Sequence, residues 1–201
     1  MQLPDFFDAA PRLQLHDPLA AFLGAARDGV LDYGYADVVK LAGHSCPTVA
    51  SAFLLTRAAL AVLYPGALAE RGALRVQFSG ARLDGVNGVF ASVVSLLTGA
   101  TEDGGFKGLG GRFDRRRLLE FEADIAGQMR VTRLDTGATV DAWARLEQVP
   151  GNARAFELLP LCLAGKASVE EVEQFRALWQ QRVRMLLTQH ADDPAVFETR
   201  H

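Results

Sequence analysis

The chain has 201 residues, 49% of them hydrophobic and 22% charged. That is the balance of a globular domain rather than a disordered segment. A net charge of −3 and a pI near 5.8 argue against a basic nucleic-acid surface. The most apolar run, residues 49–64, is interrupted by Ser51, Thr56 and Arg57 and falls short of the roughly 20 residues a membrane span needs. The first residues carry acids and no basic stretch ahead of an apolar core, unlike a secretory signal. Two cysteines, Cys46 and Cys162, make no disulfide framework, so the sequence predicts a cytoplasmic protein with reduced thiols.

Residues 1–16 read as an arm or a first short element. Asp17-Pro18 then opens a helix, with Asp17 as N-cap and Pro18 in the first helical position. A short apolar-periodic segment runs from Tyr35 to Leu41 and stops at Gly43. Pro47 starts a long helix, apolar nearly all round and therefore central, which closes at Pro65-Gly66. Residues 74–78 alternate as a half-buried strand, and Asp84 is the expected cap of a second apolar helix carrying Val86, Val89, Phe90, Val93, Val94 and Leu97.

Residues 98–111 hold six glycines in fourteen positions and form a long loop. Alternation predicts strands at 119–125, 128–135 and 139–146, the last two joined at Asp135-Thr136-Gly137. Pro150-Gly151 ends this pattern and divides the chain into a domain of residues 1–150 and a helical tail of residues 151–201. In the tail, residues 153–163 read as a short helix. Ser168 to Glu171 fits a capping box, and Val172, Phe175, Trp179, Val183 and Leu186 form a stripe that serves as a core or dimer face. The fold class expected is α+β: an antiparallel sheet packed with a central apolar helix, plus the tail.

The most informative residues are Ala42-Gly43-His44-Ser45-Cys46-Pro47-Thr48. In an extended lead-in, His44 and Cys46 point the same way. Pro47 starts the helix, so Cys46 sits at its positive end, where the field favours a thiolate. Thiolate and imidazole suit zinc or another borderline metal. They also suit a nucleophilic thiol pair, a buried cysteine beside a core histidine, or a haem thiolate. A metal needs further ligands. His16 is the candidate third, since His190 and His201 lie in the tail, and water, substrate or a second chain could complete the set.

The GHSCP stretch followed by an apolar helix resembles the HGH-x-CPG signature of the FmdE-like family, which takes its name from a component of formylmethanofuran dehydrogenase. Asp84 before an apolar helix, Thr98-Gly99-Ala100-Thr101 and Gly105-Phe106-Lys107-Gly108 resemble that family's Asp-containing helix start, TGCT and GKG loop. The resemblance covers roughly residues 17–146. It implies an α+β fold, a zinc-like ion at His44 and Cys46, and a homodimer. Ala42 stands where the family has its first His, Thr48 where it has Gly, and Ala100 where it has Cys, and no CxxC pair supplies a zinc ribbon. The redox chemistry of the dehydrogenase is not implied, because two cysteines cannot ligate a four-cysteine cluster.

Gly105, Lys107 and Gly108 are candidate ligand contacts, an ammonium and freed backbone amides for an anionic small molecule, although the order of residues is not that of a P-loop. Arg112, Arg115, Arg116 and Arg117 read as a solvated strand edge offset by nearby acids. No catalytic base is legible beside the ligands; Glu102 or Asp103 could be brought there by folding. The leading expectation is a small metal-binding FmdE-like protein with an open coordination position for a small ligand. The alternatives are a non-catalytic metal or haem carrier and an accessory component of a larger complex.

Overall fold

A computed structural model describes residues 3–201. The fold is α+β, and its sheets are mixed rather than purely antiparallel. After a short 3-10 turn at Asp5–Phe7, strand β1 (Leu13–His16) lies between an antiparallel neighbour β2 (Val30–Tyr33) and a parallel one, β3 (Ala69–Glu70). Between β1 and β2 runs the short helix α1 (Pro18–Phe22). It is capped as the sequence predicts: Asp17 accepts from the backbone N–H groups of Leu19 and Ala20, and Pro18 stands in the first turn. Helix α2 (Tyr35–Ala42) ends at Gly43, whose φ of 75° is the left-handed cap that glycine adopts without strain.

Helix α3 (Pro47–Leu63) forms the centre. Val49, Ala50, Ala52, Phe53, Leu54, Leu55, Ala59 and Leu60 are buried on every side of it, because the sheet, two helices and part of the tail all pack around it. Its two buried hydroxyls satisfy themselves locally: Ser51 donates to the Thr48 carbonyl and Thr56 to that of Ala52.

The second sheet contains β4 (Leu74–Phe78), β5 (Leu119–Glu120), β6 (Met129–Arg133), β7 (Thr139–Ala144) and β8 (Phe197–Arg200), in the order β5-β4-β6-β7-β8. The β6–β7 hairpin turns at Gly137, φ 74°, as the Asp-Thr-Gly signal predicts. The strand expected at 119–125 is shorter. Arg117 and Glu122 both have φ of 58°, so the chain pairs parallel with β4 for two residues and then turns off. This parallel pair, with that of β1 and β3, is what makes the sheets mixed.

Helix α4 (Asn87–Thr98) begins two residues later than expected, with Val86 rather than Asp84 at its N-cap. Asp84 instead accepts from the Ala81 N–H, and Asn87 donates to the Ala81 carbonyl, so both brace the preceding turn. The tail holds α5 (Ala153–Leu163) and α6 (Val169–Thr188), the latter opened by the predicted capping box of Ser168 and Glu171. It then returns as β8 along the edge of β7, so the tail is helical only to Thr188. Val183, Leu186, Leu187, Val196 and Phe197 enter the same core as α3, so residues on both sides of position 150 share one interior. Among the described residues no helix is long and apolar enough to cross a membrane.

Candidate functional site: the turn into the central helix

Gly43 reverses the chain after α2 and leaves residues 44–46 extended. Cys46, with φ −150° and ψ 168°, is the N-cap of α3, and its Sγ accepts from the Val49 N–H at 3.5 Å. His44 lies on the same side. Its Nε2 is 3.3 Å from Cys46 Sγ, and its Nδ1 is 3.0 Å from the Ala42 carbonyl oxygen. A carbonyl only accepts, so Nδ1 donates in that bond and the other ring nitrogen, Nε2, is the one turned toward the thiol. His44 is exposed and Cys46 half-buried, so the pair faces outward.

Ser45, between them, is held from behind. Its hydroxyl donates to Gln180 Oε1 at 2.9 Å and stands 3.1 Å from the Tyr35 hydroxyl. Since the serine proton is committed to Gln180, Tyr35 is the donor in the second bond. Burial pushes the Tyr35 phenol well above its usual range, so it stays protonated in that role. The Ser45 carbonyl accepts from Trp179 Nε1 at 3.3 Å and Gln180 Nε2 at 3.1 Å. The stripe on α6 therefore closes onto its own chain, and the turn that presents His44 and Cys46 is fixed by residues more than a hundred positions away. Sequence reading missed Tyr35 and Gln180; no local pattern marks either one. Beside Ser45 an apolar cavity of about 370 Å³ is lined by Leu3, Phe7, Val39, Phe175 and Trp179.

His16 is not part of this site. It lines a cleft with Tyr64, the C-cap of α3, and its Nδ1 is 4.0 Å from Glu70. Cys46 caps the other end of the same 17-residue helix, about 25 Å away at 1.5 Å per residue. The position of β1 in its sheet dictates this, and the expected third ligand is corrected. Among the described residues no group of three or more His, Cys, Asp and Glu could hold a metal ion.

The glycine-rich loop also lies away from the pair. The Thr101 N–H and hydroxyl donate to the Arg115 carbonyl, the Arg115 N–H donates to Phe106, and Phe113 packs on Phe22 of α1 with ring centroids 5.5 Å apart. Gly108, φ 84°, sits against the Arg112 carbonyl, and Gly105 against Thr101, so these glycines allow close backbone packing. Lys107 is exposed on this loop, at the Asp17 end of the molecule. The expected open position beside Gly105, Lys107 and Gly108 is therefore not formed within one chain. Glu102 pairs with Arg82, and Asp103 with Arg117 at 3.1 Å, and neither reaches the His44–Cys46 pair.

Arg115 is a further correction. It is buried, not a solvated edge. It donates to Asp17 Oδ1 at 2.8 Å while Arg71 donates to Asp17 Oδ2, also at 2.8 Å. Burial pushes the Asp17 carboxyl up, but the two guanidiniums outweigh it and hold the carboxyl below its ordinary value. Gly72 and Gly99 leave the space through which the Arg115 side chain passes.

No protein-family model matches the chain, and no curated protein does. The site must be read from its own chemistry. Two donors converge at 3.3 Å; sulfur and nitrogen on one tetrahedral zinc stand about 3.6 Å apart, given Zn–S near 2.3 Å and Zn–N near 2.05 Å. The anchored Nδ1–H is also the usual support of a metal-binding imidazole. The pair fits a metal as two of its ligands.

Proposed function

We propose that this protein is a metal-binding relative of the FmdE-like family, in which His44 Nε2 and Cys46 Sγ hold a divalent transition ion, zinc first. In this reading it works in the cytoplasm as a homodimer on a small-molecule or metallocofactor ligand. The observation that carries it is the convergence of His44 Nε2 and the Cys46 sulfur on one outward-facing point, with Nδ1 anchored on Ala42 and the intervening Ser45 fixed by α6. Such an ion would supply a Lewis acid with positions open to a ligand. This chain's residues orient the two donors, Cys46 as the N-cap of α3 and His44 through its bond to the Ala42 carbonyl.

The test is elemental analysis and an absorption spectrum of tag-free protein beside His44→Ala and Cys46→Ala. Transition metal bound by the parent and lost in both variants, with unchanged circular dichroism, is the expected result. A folded, metal-free parent would overturn the reading. A Soret band lost with Cys46 would move the assignment to haem.

One observation favours a second reading: the chain offers two donors here and no third among the described residues. A metal-free thiol–imidazole pair would then be the working unit, with Nε2 as the acceptor of the thiol proton. Rapid alkylation of Cys46 that slows in His44→Ala, in protein free of metal, would mark it.

A further inference from the structure

We infer that the ion is shared between two copies of this chain, each giving His44 and Cys46, so that a Cys2His2 centre lies on the two-fold axis of a dimer. The inference rests on the metal reading above and says what fills the positions that a single chain leaves open: the same two donors of the second copy.

The argument is first one of counting. A closed tetrahedral zinc site takes four protein ligands and an open catalytic one takes three. Here two side chains converge, and no other His, Cys, Asp or Glu among the described residues completes a group of three. His16, the best alternative in sequence, stands at the far end of α3. A lone pair of donors is half of a tetrahedral set, and a two-fold axis doubles it into the whole.

The second argument is accessibility. A shared ion must sit outside the surface of each protomer, within reach of both. Gly43 and His44 are exposed, an added Cβ at Gly43 meets nothing within 4 Å, and Cys46 is half-buried. On this turn His44 is thus open to solvent beside the half-buried Cys46, with free space over the neighbouring Gly43. That turn is also stiff: Tyr35, Trp179 and Gln180 hold Ser45 through its hydroxyl and its carbonyl. Two donors fixed in this way lose little freedom when a second pair meets them.

The third argument is the relief around the pair. Val39 lines the apolar cavity on one side of Ser45. Leu41, two residues on and so about 200° around α2, projects away from that cavity and is 47% exposed. In a dimer closed by the metal, the exposed leucine of each copy would be the apolar side chain offered to the recess of the other. Isologous contacts have this form, each patch meeting its own complement.

The experiment is metal titration of chelator-treated, tag-free protein with zinc, measuring bound metal per chain at saturation and particle mass by light scattering. Cobalt is then substituted to read its thiolate charge-transfer band. The expected result is half an ion per chain on a particle of about 43 kDa, twice the 21.7 kDa chain, with a cobalt band of two-thiolate intensity. His44→Gln and Cys46→Ser, which keep a polar group at each position, should abolish metal uptake and any metal-dependent gain in mass. Leu41→Asp should weaken metal-dependent dimerisation while leaving the fold intact. One ion per chain at saturation, or saturated metal on a particle of 21.7 kDa, would overturn the shared centre and leave the metal reading standing. No uptake at all by folded protein would overturn both.

Discussion

The two ends of α3 treat polar groups in opposite ways. At the carboxy-terminal end, Asp17, Arg71 and Arg115 are drawn together from three distant segments, and Arg115 and Asp17 are only 6% and 4% exposed in their side chains. Every oxygen of the Asp17 carboxylate is used within the chain: Oδ1 by Leu19, Ala20 and Arg115, Oδ2 by Arg71. At the amino-terminal end, the backbone around Ser45 is just as firmly held, yet Nε2 and Sγ are turned outward. The first end uses its charges to join segments of the chain. The second uses its hydrogen bonds to present an imidazole and a thiol at the surface.

The sharpest way to break this contrast is Asp17→Ala. It leaves the buried Arg115 and the half-buried Arg71 without their carboxylate, a change worth about 3–5 kcal/mol. The midpoint of thermal unfolding should fall by on the order of 10 °C for a chain of this size. Acid should expose the same dependence. The folded-state value of Asp17 is depressed, so its stabilisation is fully present above the unfolded value of 3.8 and is lost as pH falls through the lower folded one. Asp17→Asn should flatten the stability profile in that window; a profile unchanged below pH 4 would refute the assignment.

Next in size is Gly99→Ala. Gly99 has φ of 74°, and a methyl group there would meet Arg115 Nη1, so a loss of about 1–3 kcal/mol is expected by denaturant titration. At the other end, Gln180→Ala removes bonds to both the hydroxyl and the carbonyl of Ser45. Stability should drop by roughly 1–2 kcal/mol. If the proposed metal reading holds, affinity for the ion should fall by about 10-fold or more, since Gln180 fixes the residue between the two donors; an unaltered affinity would show that α6 does not orient the donors. The smallest effect belongs to Arg117→Ala. Its pair with Asp103 is 84% and 87% exposed, and a change below about 0.5 kcal/mol is expected.

Local chemistry makes much of this legible from sequence. The Asp17 and Cys46 caps, α3, β4, the Asp135–Gly137 turn and the α6 capping box each depend on residues within a few positions, and each appears as expected. The parallel pairing of β5 with β4 is hidden because register between distant segments leaves no local pattern. The burial of Arg115 is hidden for a related reason: in sequence it is one arginine of a basic run, and its partner lies 98 residues earlier. His44 and Cys46 can be found because spacing alone brings them together. His16 is misplaced by the same reasoning because nothing in spacing says which end of a sheet faces which end of a helix.

Trp179 gives the protein a property that has nothing to do with holding it together. The chain has two tryptophans. Trp143 sits on the sheet beneath the guanidiniums of Arg145 and Arg200, whereas the Trp179 indole N–H is bonded to the carbonyl of Ser45, the residue between His44 and Cys46. Its emission is therefore wired to the turn. An open-shell ion captured there should quench one of the two indoles and spare the other, so occupancy can be read by fluorescence without a label.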